Sequence, residues 1–273
     1  MKFTQEEIEN FITEIAAGKK LITIENKQYY LYFPTREERL KANYIYHQKL
    51  LEFQQDAIPT EQELLKVAHN QSIYTLQDEK KYYQLEDKYL HLLKRAQAST
   101  PQFRLSFDKK LKEIKKELDN LSQKRNYVTS HSANYLSEQY KINYLLCCCV
   151  RNEKEERMWP DVNVMLDVLS LDNYQSFLNE FVKFINGLPI EKIRAVARSS
   201  LWQAIYAASV NSNQQLFNTC VAEWDINKIL LVHWSNIYRN AFQNYGNVPD
   251  NILENDAAFD EWLDQSARKG LKS

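Results

Sequence analysis

Apolar positions recur at helical spacing along most of this chain. Tyr82, Leu85, Tyr89, Leu92 and Ala96 are separated by alternating threes and fours, and the spacing returns in Leu111, Ile114, Leu118 and Leu121. That repeat gives each of two helices a narrow apolar seam of coiled-coil type. Ser99, Thr100 and Pro101 interrupt it. A break this short turns the chain back on itself, so the pattern predicts a long antiparallel helical hairpin. Lys80, Lys81, Lys88, Lys94, Lys109, Lys110, Lys112, Lys115 and Lys116, interleaved with Asp and Glu, keep its outer faces in water.

Elsewhere the pattern also reads as helix, with one exception. Thr4 and Glu7 form a capping box ahead of the stripe Ile8, Phe11, Ile12 and Ile15, which ends at Gly18. Leu21, Ile22 and Ile24, then Asn26-Lys27, then Tyr29 to Phe33 predict a small β-hairpin over about residues 20–33. Two strands are not stable alone, so this hairpin must lie on helices or join a further strand. Thr35 with Glu38, Thr60 with Glu63 and Thr75 with Asp78 open three more helices. The first of these carries Leu40, Tyr44, His47 and Leu51. A helix follows from Ser132 to Val150, and then the charged stretch 151–161, closed by Trp159-Pro160, marks a predicted boundary. Beyond it helices are expected over 162–169, 174–185 and 190–209. Asp225 caps a broad stripe of Ile226, Ile229, Leu230, His233, Trp234, Ile237 and Phe242. A short acidic helix with Phe259, Trp262 and Leu263 comes last, before a basic tail of Arg268, Lys269 and Lys272. The fold class is mainly α: a helical bundle with a coiled-coil hairpin and one β-hairpin. The expected organisation is an N-terminal portion over 1–74, the helical hairpin over 75–130 and a C-terminal helical domain over 131–273.

Composition narrows the function classes. The 273 residues are 44% hydrophobic and 26% charged with net charge −1, so no overall field draws the chain to nucleic acid or anionic lipid. Only 4 glycines are present, which argues against phosphate-cradling loops and against folds with many tight turns. The 17 tyrosines and 12 phenylalanines exceed what a minimal bundle needs, and tyrosine suits contact surfaces. No apolar run approaches the roughly 20 residues that span a bilayer, and the opening segment lacks the basic start of a secretory signal. Cys147, Cys148 and Cys149 are consecutive, so on a helix they diverge and cannot share one metal. With Cys220 they read as reduced, buried thiols.

The sequence contains no phosphate loop, HExxH, paired CxxC or nucleophile elbow, and its pattern calls for no cofactor and no metal. His47, His69, His91, His131 and His233 read as flank or core residues. Asp256 and Asp260 share a face at i, i+4, and with His233 they form the one arrangement on which an enzyme could rest. A solvated acidic face is the plainer reading. The lysines between 109 and 116 offer a nucleic-acid alternative, a regulator gripping DNA or RNA with the helical arm, but acids interrupt them and no aromatic platform interleaves them. Candidate partner-binding residues are Trp159, Trp262 and Phe259, with Tyr30 and Tyr32 on the β-hairpin.

Residues 225–270 resemble a pattern in structural and assembly proteins of tailed bacteriophages. A Trp-Ser pair and a following Tyr precede a Pro-Asp, an Ile, an acidic cluster and a Trp near a basic end. The matching residues here are Trp234, Ser235, Tyr238, Pro249, Asp250, Ile252, Asp256, Asp260, Trp262 and Lys269, and upstream Leu201 and Trp202 fit as well. The resemblance implies a non-enzymatic virion component or assembly factor. A baseplate-hub or tail-assembly factor of contractile-tailed phages suits a helical, near-neutral chain with a projecting arm. Its partners would be phage structural or assembly proteins and further copies of itself, in the host cytoplasm or the virion.

Overall fold

A computed structural model describes residues 3–97, 101–212, 216–246 and 248–270. In chain order it has α1 (Gln5–Ala17), β1 (Lys19–Ile24), β2 (Lys27–Tyr32), α2 (Arg36–Gln55), α3 (Glu61–Asn70), α4 (Leu76–Gln97) and α5 (Pro101–Thr129). Then come α6 (Ala133–Cys149), β3 (Val150–Arg151), α7 (Val162–Val168), α8 (Leu171–Ile185), α9 (Ile190–Arg198) and α10 (Ser200–Ser212). After two short 3-10 turns, α11 (Ile226–Tyr245), α12 (Asp250–Leu253) and α13 (Asp256–Gly270) complete the chain. The protein is mainly helical with one small antiparallel sheet. It divides into two compact units, one of residues 1–41 with 143–273 and the other of residues 42–142. The charged stretch 151–161 lies inside the first unit.

In the first unit, local chemistry sets the opening elements. The Thr4–Glu7 capping box starts α1, and Gly18 ends it at φ 62, a left-handed conformation that glycine adopts without strain. The hairpin follows at once. Its turn is Glu25-Asn26, both at positive φ (49 and 61), one residue earlier than the pattern predicts. Two left-handed residues match the twist of the strands they join. The hairpin does not stand alone: β3 pairs with β2 through Tyr30 opposite Arg151 and Leu31 opposite Val150. The strand order is β1-β2-β3.

The sheet buries one face. Ile22, Ile24, Leu31 and Val150 pack with Leu146, Cys147 and Cys149 of α6, Met165 of α7 and Phe177, Phe181 and Phe184 of α8. A second core joins α1, α9, α10, α11 and α13 through Ile15, Ile193, Val196, Trp202, Leu231, Tyr238 and Phe259. The helix expected over 190–209 is two helices. Ser199 is extended (ψ 142) between α9 and α10, and its Oγ accepts from the Trp202 amide at 3.3 Å. That bend lets Trp202 enter the core and donate its indole N–H to Ser235 Oγ at 2.6 Å.

In the second unit α4 and α5 pack together. Leu85, Ile114 and Leu121 are buried between them, flanked by Tyr82, Tyr89, Leu92 and Leu118. Lys81 pairs with Glu117, and Arg125 lies 3.5 Å from Glu79 and over the Tyr82 ring. Ser99 and Thr100 of the expected break, and the side chains of Lys94 and Ala96, lie outside the described residues. The capping box of Thr60 and Glu63 opens α3, where Leu65 and Ala68 pack with Tyr74 and Val128.

Leu31 is fully buried on the sheet, whereas Val168 on α7 is 64% exposed. Leu31→Ala should cost about 2–5 kcal/mol of stability, and Val168→Ala no more than about 0.5 kcal/mol. Urea denaturation of the two variants measures the contrast.

Candidate functional site

Strand alternation gives the sheet an outer face. Ile22, Ile24 and Leu31 point inward, so Lys19, Leu21, Thr23, Tyr30 and Tyr32 point away from the core, with Arg151 opposite Tyr30. The loop after β3 returns over this face. Asn152 Oδ1 accepts from the amides of Lys154 and Glu156 at 2.9 and 3.0 Å, and Glu155 sits at the tight point of the turn with φ 64. The Glu155 carboxylate therefore reaches both the Lys19 ammonium and the Tyr32 hydroxyl. Lys19 Nζ lies 4.9 Å from the Tyr30 ring centre, and the Arg151 guanidinium lies 4.3 Å over Tyr32.

The electrostatics follow from that geometry. Hydrogen bonds from Lys19 and then Tyr32 hold the Glu155 carboxyl below its ordinary value. The bond to Glu155 raises the Lys19 pKa. Burial, and then the same carboxylate, raise that of Tyr32. The result is a half-exposed face of two tyrosines braced by cations, beside Leu21 at 47% exposure. Rigid aromatic surface with polar tips is the chemistry of protein contact.

The acidic pair has another role. Arg194 is 4% exposed, and α9 carries it into the second core. Its Nε donates to the Tyr238 hydroxyl at 3.2 Å, its Nη1 and Nη2 to the Asp260 carboxylate at 3.0 and 2.7 Å, and Nη2 also to the Asp256 carbonyl at 3.2 Å. Arg198 pairs with the Asp256 carboxylate, and the Arg194 guanidinium stacks 4.0 Å over Trp234. Burial alone would lower the Arg194 pKa, but Asp260 and Tyr238 outweigh it and raise it above the ordinary arginine value. Burial likewise raises the Tyr238 pKa against the pull of Arg194. Asp256 and Asp260 thus turn toward arginines of α9 rather than standing as a solvated face. His233 is exposed and meets Trp234 edge-on at 5.8 Å.

The other candidates fall in the interior. Trp159 is 3% exposed and edge-on to Phe177 at 5.3 Å, and Phe259 is fully buried against Tyr238. Packed on every side, neither ring offers a face to a partner, which corrects the expectation of docking residues there. Trp262 is partly buried, packing against Tyr245 and Phe259, and so pins α13 to its own core. Of these candidates only Tyr30 and Tyr32 come together on the outer face of the sheet, each partly buried. Cys147, Cys148 and Cys149 are buried, and burial raises the Cys147 thiol to about 11; Cys220 is exposed, unlike the expected buried thiol. Among the described residues no three His, Cys, Asp or Glu side chains converge on a metal-sized site, and no helix is long and apolar enough to cross a membrane.

Sequence reasoning missed Lys19, Arg151, Glu155 and Arg194. Arg194 carried a signal, being a lone cation among Ile193, Ala195, Val196 and Ala197, all buried. The others meet only through the third strand. Searches against family models, curated proteins and solved structures found no match for the chain.

Two outcomes test this site. Arg194→Leu removes the guanidinium that Asp260 and Tyr238 share and should cost about 3–5 kcal/mol in urea unfolding. Glu180 of α8 binds Lys20 of β1 at 3.0 Å and Lys183 at 2.8 Å, and hydrogen bonds from Lys183 and then Lys20 lower its pKa from 4.5. A depressed carboxylate stabilises the fold above its unfolded pKa, and the contribution is lost as pH falls through the folded value. The stability gap between wild type and Glu180→Gln should therefore be constant near neutrality and close as the pH drops below about 4.5. Denaturant midpoints across a pH series measure it.

Proposed function

We propose that the protein is a non-enzymatic assembly or structural component of a tailed bacteriophage, a baseplate-hub or tail-assembly factor that works through protein–protein contacts. The observation that carries the contact reading is the outer face of the sheet, where Lys19 lies over the Tyr30 ring and Arg151 over the Tyr32 ring. Aromatic rings fixed in one orientation lose little entropy on binding and are favoured at interface centres.

Two further features support the reading. The seam of Leu85, Ile114 and Leu121, with the pairing of Glu79 to Arg125 and Lys81 to Glu117, fits α4 and α5 as the two strands of an antiparallel coiled-coil arm. Such an arm extends the reach of an assembly protein without adding chemistry. The phage context rests on the resemblance of residues 225–270. Many of the residues that carry it have physical work here: Trp234 stacks under Arg194, Ser235 receives the Trp202 indole, and Tyr238, Asp256 and Asp260 bind Arg194. A pattern of this kind is one that a shared helical layer would need.

Co-expression with the products of neighbouring genes, followed by affinity purification, tests the proposal. A stable complex is expected. The double variant Tyr30→Ala/Tyr32→Ala should fold normally and bind about thirtyfold or more weakly, the size of a hot-spot loss. A chain that purifies without any neighbouring product contradicts the proposal, as does a complex indifferent to both substitutions.

A further inference from the structure

The first unit holds a cleft that the outer sheet face does not use. It measures about 460 Å³ and opens between α1, the end of α8 and the turn into α9. That volume lies within the roughly 300–1,000 Å³ usual for small-molecule sites. Phe11, Phe184 and Leu188 supply its apolar wall, and Glu14, Lys192 and Asn227 supply polar groups. Apolar walls with a few convergent polar groups are the common form of a ligand site.

Asn227 is built into this cleft. It is 2% exposed, and its Oδ1 accepts from the Leu188 amide at 2.7 Å. That bond turns the amide nitrogen the other way, and among the described residues Nδ2 donates to no protein group. Its acceptor must come from whatever fills the cleft, solvent or ligand. Gly187 permits the close approach. Its φ is 84, and a Cβ there would come within 2.8 Å of both Asn227 Oδ1 and Ile226 Cγ2.

The charges divide into those already bonded and those not. Lys20 and Lys183 stand at the rim, and both are held by Glu180. Glu14 feels Lys20 and Lys192, yet among the described residues it makes no hydrogen bond or ion pair. Lys192 rests 4.6 Å over the Phe11 ring and has no carboxylate partner among the described residues. Burial raises the Glu14 pKa, and the two lysines offset that only in part. Perturbed carboxyls of this kind gather at functional sites. Pro189 opens α9 without a side-chain cap, so the positive end of that helix favours an anion on the Lys192 side. The groups left without a bonded partner are one ammonium, one carboxyl and one amide donor. A simple anion meets repulsion from Glu14, and a simple cation meets repulsion from Lys192. A molecule carrying both charges satisfies all three groups.

We infer that this cleft binds a free amino acid with an apolar side chain. The carboxylate goes to Lys192 and the Asn227 amide, the ammonium to Glu14, and the side chain lies against Phe11, Phe184 and Leu188. No residue of the outer sheet face takes part, so the site stands apart from the contact reading.

Isothermal titration calorimetry of the full chain with phenylalanine and with leucine is the test. At least one should bind saturably, at one site per chain. The analogues without the ammonium, hydrocinnamate and isocaproate, should bind about tenfold or more weakly, and so should those without the carboxylate, phenethylamine and isoamylamine. Glu14→Gln should erase the preference for the amino acid over its ammonium-free analogue. Lys192→Met keeps the stem over Phe11 and should weaken the amino acid about tenfold or more. Both residues are partly exposed, and the helical circular dichroism should be unchanged. No heat from either amino acid at millimolar concentration overturns the inference. An analogue that binds as tightly as its amino acid overturns it too, as does an affinity that either substitution leaves unmoved. Should a variant unfold, the analogue series on the wild type decides alone.

Discussion

A guanidinium sealed inside a helical layer keeps its charge, and every N–H it carries needs an acceptor. Arg194 imposes that condition on the first unit. It sits on α9, and its acceptors come from α11 through Tyr238 and from α13 through Asp256 and Asp260. Trp234 closes one face of the group. One side chain thereby sets how three helices meet, and the acids of α13, which by type and spacing look fit for catalysis, serve as counter-ions. The apolar contacts of Trp202, Leu231 and Phe259 supply burial around this group, while the directional bonds specify which burial is correct.

The sheet is organised by a different constraint. Two strands bury too little to persist, and the third comes from the chain leaving α6, far away in sequence. That return brings Arg151 and Glu155 to the outer face and against Tyr32, so the device that completes the sheet also builds its outer surface. It closes one edge and leaves the other, whose lysines are both paired. The sheet and its outer face are here consequences of the same short stretch.

Whatever is local was legible in the sequence. Thr4 with Glu7 and Thr60 with Glu63 form the capping boxes their spacing predicts, Gly18 ends α1, and Asp225 caps α11. The hairpin was visible in its alternation, with its turn displaced by one residue. What depends on partners distant in the chain was hidden. Val150 reads as the end of a helix and Arg151 as the start of a charged loop, and both become a strand because Leu31 and Tyr30 need neighbours. Trp159 looks like a loop aromatic beside proline, yet the fold of its loop puts it against Phe177. Of the candidate site, Tyr30 and Tyr32 could be named from the strand pattern, but not the cations that brace them. Ser199 interrupts a run of good helix formers, and only the demand for Trp202 in the core explains the bend.

The claim most exposed to test is that the acids of α13 are consumed by Arg194. A double-mutant cycle on unfolding free energy, with Arg194→Met, Asp260→Leu and the two combined, measures it directly. The account predicts strong non-additivity of about 2–3 kcal/mol, the double variant being far less damaged than the sum because neither charge is left alone. Additive losses would show that the two residues do not hold each other and would contradict the account.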